Sequence, residues 1–159
     1  MIIYSKKIIR FVKEIQLSVK TVLSQEIGLR VANTRFYNRK QTATYPINIV
    51  IYNNRRELGY FNADFYELGF HECLMHQSKD VLHNVIRHEL AHYMIFINKG
   101  PNIHHHGVEF RDFCRGLNWG SEVYDAAMVL SNPVEVQAES AVFRKVQKLM
   151  ALATSSNAH

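Results

Sequence analysis

Cysteine is nearly missing: the 159-residue chain has two, Cys73 and Cys114. Two thiols build no disulfide framework and fall short of a four-cysteine zinc ribbon, so they read as reduced core residues of a cytoplasmic protein. No stretch approaches the roughly 18 apolar residues a membrane span needs. The opening Met1-Ile2-Ile3-Tyr4-Ser5-Lys6-Lys7 puts apolar residues ahead of charge, the wrong order for a secretory leader. Internal repeats and low-complexity segments are also lacking. Acidic residues are outnumbered, 14 against 19 Lys and Arg, for a net charge of +5. That balance suits an anionic partner such as DNA or RNA, or a basic surface that binds nothing. What is present is apolar: 47% of residues are hydrophobic, enough at this length for one core without staples.

The apolar residues are patterned. Ile8, Val12, Ile15, Val19 and Val22 recur at helical spacing, with Ser5 to cap the start and Gly28 to end it. From about 29 to 76 the texture is β-like: Ile47–Tyr52, Tyr60-Phe61 and Phe65–Phe70 predict about three strands. No helix-length connection separates them, so a small antiparallel sheet is the economical arrangement. A second long helix is predicted from about Lys79, capped by Ser78, to Asn98, stopped by Gly100-Pro101. It is apolar on two neighbouring faces, which places it inside the domain. A shorter helix follows around Phe110–Leu117, and Asn132-Pro133-Val134-Glu135 opens a last one. The expected architecture is α+β, a sheet of about three strands packed with helices around a central helix. Residues 1–130 form the main domain, and 131–159 a C-terminal helix that could begin a further small helical domain.

The chemistry lies on that central helix, in His88-Glu89-Leu90-Ala91-His92. Residues four apart on a helix stand one above the other, so both imidazoles can face one ion. Glu89 is about 100° round the helix from His88, beside an ion rather than on it, where it can serve as a general base. Burying two histidines on an apolar stripe without partners is costly, and one shared metal satisfies both. A catalytic zinc keeps three protein ligands and an open position. The residue six places after His92, where metzincins have their third histidine, is Asn98. Spacing leaves His104, His105, His106, Glu109 and Glu122 as candidates for the third ligand. His76 and His83 read as surface or supporting histidines. Tyr93 and Tyr124 are chemically able to stabilise an oxyanion, and neither is assigned that role.

His88-Glu89-Leu90-Ala91-His92, followed after thirteen residues by His106-Gly107-Val108-Glu109-Phe110, resembles the SprT-like (Spartan-type) metalloprotease domain. The resemblance is close over residues 80 to 117 and loose from 5 to 120. It implies a zincin-like fold, zinc held by His88, His92 and His106, and Glu89 as general base of a metalloendopeptidase. It also implies a protein substrate and association with DNA, for which Lys6, Lys7, Arg10, Arg39, Lys40, Arg55 and Arg56 are the natural contacts. The cysteine-rich ribbon many members carry is missing. Residues 145–159 instead resemble the opening of a small bacterial helical domain, which would make the chain part of a longer protein; the alternative is a plain C-terminal helix with a frayed polar end. The competing functions are a nucleic-acid-binding module with a structural or vestigial zinc, and a metal-dependent hydrolase of some other substrate.

Overall fold

The computed structural model describes residues 4–101 and 106–126. The C-terminal helix and further domain expected over 131–159 lie outside them. Helix α1, Lys6–Thr21, starts where the Ser5 hydroxyl accepts the Ile8 amide and buries Ile8, Phe11, Ile15 and Val19. Its last turn widens into a π-helical segment, Val22–Ile27, ended by left-handed Gly28 at φ +84°. The wider turn sets residues five apart on one face, and Val22 and Ile27 are both buried.

Strands β4 (Asn48–Tyr52), β5 (Gly59–Asn62) and β6 (Glu67–His71) are the three the β-branched and aromatic runs predict. Their order is β4-β6-β5. β5 and β6 form the expected antiparallel pair, but β4 and β6 run parallel, so the sheet is mixed. The reason is placement: the chain leaves β4, skips a position to form β5 at the edge, and returns between the two. A strand antiparallel to β5 is then parallel to β4. β6, central, is buried at every position. A second, antiparallel sheet of β1 (Val31–Ala32), β2 (Arg35–Tyr37) and β3 (Thr44–Pro46) precedes it. Its strands are too short for alternation to announce them.

Helix α2, Lys79–Lys99, is capped by the Ser78 hydroxyl and closed at Gly100, φ +86°. It packs against α1, β5, β6, α3 (Val108–Gly116) and α4 (Ser121–Tyr124). Leu82, Ile86, Leu90 and Tyr93 are fully enclosed, as its two apolar faces require. The Tyr93 hydroxyl donates to the Pro46 carbonyl at 2.7 Å, and its ring lies among Phe36, Tyr45, Phe61 and Tyr66. The Glu26 carboxylate joins three segments, taking Arg87 Nε at 2.8 Å, Arg87 Nη2 at 3.1 Å and Trp119 Nε1 at 3.0 Å. That anchors the approach to α4 beside α2. Among the described residues no helix is long and apolar enough to cross a membrane.

Candidate metal centre

One turn of α2 presents His88 and His92 to the same point. His106 arrives from the residues just before α3, at φ +59°, a left-handed conformation uncommon outside glycine that His, Asn and Asp adopt more readily than other residues. The three Nε2 atoms form a small triangle: 3.3 Å from His92 to His88, and 3.1 Å from His106 to each. Three ligands around tetrahedral zinc, with Zn–N about 2.0–2.1 Å, stand about 3.3–3.4 Å apart. The residues present therefore fit the ion.

The protonation pattern agrees with that fit. His88 Nδ1 lies 2.7 Å from the Val123 carbonyl. A carbonyl only accepts, so Nδ1 carries the proton and Nε2 turns a lone pair towards the triangle. Burial holds the His88 imidazole down at about 4, which keeps it neutral and in the ligand form. Phe110 backs all three rings, its centroid 4.9 Å from His88, 4.5 Å from His92 and 5.1 Å from His106. This wall excludes water from one side of the triangle.

Glu89 is nearly inaccessible, 2% exposed. Its carboxylate lies against β5, where Gly59 has no side chain: a Cβ there would stand 2.9 Å from Oε2. Burial, with the Glu57 charge adding to it, pushes the Glu89 carboxyl well above the usual range. Triangle and carboxylate border a cleft of about 670 Å³, lined also by Arg55, Glu57, Phe61, Asp64, Phe96 and Pro101.

The other candidates fall elsewhere. Glu122 accepts the Gly120 amide at 3.1 Å and caps its own short helix. Glu109 is exposed in the first turn of α3. His104 and His105 lie outside the described residues. His83 faces Ser18 of α1, Nε2 to Oγ 3.4 Å, and His76 is exposed. Tyr93 is core. Gly59, Phe110 and the Val123 carbonyl carry parts of the site that residue spacing does not announce. Phe110 had a signal, its place in the His106–Phe110 motif. The carbonyl had none, because every residue has one.

The family model described as the SprT-like family matches residues 12–128. The crystal structure of the metallopeptidase zymogen of Methanocaldococcus jannaschii, jannalysin, is similar at 19% sequence identity and a TM-score of 0.42, covering 87% of this chain and 96% of that one. No curated protein matches the chain.

Proposed function

Since the chain belongs to the SprT-like family, we propose that it is a zinc-dependent endopeptidase whose ligands are His88, His92 and His106 and whose general base is Glu89. The observation that carries the reading is the triangle of Nε2 atoms with a buried carboxylate one residue along the same helix. Zinc, when bound, supplies Lewis acidity, lowering the pKa of water and polarising a carbonyl oxygen. The chain's own residues do the rest. The Val123 carbonyl holds His88 in its ligand tautomer. Glu89 takes the proton of the attacking water and returns it to the departing amine. Phe110 and the burial of α2 keep the proton on that path by excluding bulk water.

The substrates we propose are proteins held on DNA. Between Glu26 and Glu57 there is no acidic residue, while Arg30, Arg35, Arg39, Lys40, Arg55 and Arg56 fall within that interval. In the β1–β2–β3 sheet Phe36 is buried, and neighbouring Arg35 is exposed on the opposite face. Tyr37 shares that face, with the Arg30 guanidinium 4.9 Å from its ring centroid. The Asn38 side chain accepts the Thr42 and Ala43 amides and shapes the turn that carries Arg39 and Lys40. Cations beside a half-exposed aromatic ring suit phosphates and stacked bases.

The test is degradation of a protein crosslinked to DNA, with and without chelator and with Glu89→Gln. Chelator-sensitive cleavage that Glu89→Gln lowers at least a hundredfold is the expected result. Cleavage that survives both changes refutes the peptidase reading.

A further inference from the structure

The short helix α4 reaches two of the three imidazole-bearing residues. Its Val123 carbonyl accepts from His88 Nδ1 at 2.7 Å, and the adjacent Tyr124 hydroxyl donates to the backbone carbonyl of His106 at 2.5 Å. The Tyr124 ring packs on Phe110 at 5.5 Å and stands 6.1 Å from the His106 ring, and the Arg111 guanidinium lies over it at 4.9 Å. Val123 is buried, and the Trp119 indole, just ahead of α4, is fixed to Glu26.

The three histidines are not equally supported. His88 and His92 sit within a long helix that is enclosed on several sides, so their backbone positions are set by the core. His106 lies outside any helix or strand and is exposed. Its backbone sits in the left-handed region at φ +59°, uncommon for any residue but glycine and adopted more readily by His, Asn and Asp than by others, so a partner that fixes it has something to hold. The Tyr124 bond ends on the carbonyl of that same residue.

We propose that Tyr124 is a positioning residue for the metal: its hydroxyl holds the His106 backbone in the left-handed conformation that brings Nε2 into the triangle. Through Val123 and Tyr124, α4 then aligns the first and third ligands together. This rests on the three-histidine site proposed above. Tyr124 does not itself line the cleft, and Tyr124→Phe keeps its ring packing on Phe110 while removing the hydroxyl's bond to the His106 carbonyl. Partners that bond the ring of a ligating histidine commonly account for tenfold to a hundredfold in metal affinity, and a bond that fixes the ligand's backbone is expected at the lower end of that range.

The test uses the full chain and zinc alone. Zinc dissociation constants are measured by chelator competition for wild type, Tyr124→Phe and Ile15→Val, the last a core change on α1 that lowers stability without touching the ligands. Melting of the zinc-free proteins is followed in parallel, and cobalt(II) absorption reports ligand geometry. Tyr124→Phe should raise the zinc dissociation constant about tenfold or more and alter the cobalt spectrum, while Ile15→Val leaves both as in wild type. A Tyr124→Phe constant within twofold of wild type, or a rise matched by Ile15→Val at equal loss of melting temperature, overturns the proposal. A wild-type chain that holds no zinc overturns the site reading itself, which separates the two failures.

Discussion

A methyl group added at Gly59 gives the sharpest test of where the reacting carboxylate must be. The alanine Cβ would stand 2.9 Å from Glu89 Oε2, 2.9 Å from Val85 Cγ1 and 3.0 Å from Glu89 Cγ. Ordinary contacts of this kind are about 3.5–4.0 Å, so something must yield by about 0.5–1 Å. Val85 is fully enclosed in the core, and Gly59 is paired with Phe70 in the sheet. The Glu89 side chain is the part that gives way. A misplacement of about 1 Å at a reacting group costs about a hundredfold in rate, or about 2.7 kcal/mol of barrier. The assay is initial rates of proteolysis at zinc occupancy matched by elemental analysis, because Gly59 touches no ligand. Gly59→Ala should hold zinc as wild type does and lose kcat by about thirtyfold to a hundredfold. Overpacking will also lower stability by about 1–3 kcal/mol, which urea unfolding reads separately. A folded, zinc-loaded Gly59→Ala enzyme within threefold of wild-type kcat would show that the carboxylate's seat against β5 does not govern the rate.

Three further outcomes follow from the same structure. His106→Ala should reduce zinc from about one ion per chain to a small fraction, since two imidazoles remain; undiminished zinc would move the third ligand elsewhere. Glu72, buried at the start of the turn after β6, has its carboxyl pushed up to about 7 by burial, against a partial opposing pull from Lys7. Its folded pKa lies above the unfolded value of 4.5, so the folded state binds the proton more tightly. Stability contributed there is complete below about 4.5 and is lost as pH rises towards 7. Glu72→Gln should therefore gain about 2–3 kcal/mol on wild type between those limits in urea titrations; parallel curves would refute it. Arg30→Ala with Arg35→Ala should weaken binding of a fluorescent single-stranded oligonucleotide and lower its salt dependence by up to about two phosphate contacts. An unchanged salt slope would remove the β1–β3 face from the interface.

The parts of the molecule legible in the sequence are those set by near neighbours. Helix α2 announces itself through Ser78, Gly100 and its apolar spacing, and His88 and His92 follow because a four-residue step on a helix is a local rule. β4, β5 and β6 show in their β-branched and aromatic runs. The direction of β4 relative to β6 does not, because it depends on which strand lies between which, a matter of return path rather than composition. Gly59 reads in sequence only as a break before Tyr60. Its importance comes from Glu89, thirty residues on, and from the absence of a Cβ. Tyr93 and Tyr124 are chemically alike and differ only in surroundings: one is enclosed by four aromatic rings, the other reaches the carbonyl of His106. β1, β2 and β3, two or three residues each, fall below the length at which a period can be counted.

Helix α2 is at once the spine of the core and the seat of the proposed ligand pair and general base. Leu90 stands between Glu89 and His92, and Ile86 and Tyr93 flank the ligand pair, all three inaccessible to solvent. A survey of random substitutions scored by activity alone would mark nearly every position from Val85 to Tyr93 as essential, and would blur a reactive group with a wedge of packing. Only paired readouts, metal content beside turnover and folding beside both, would tell His88 from Leu90.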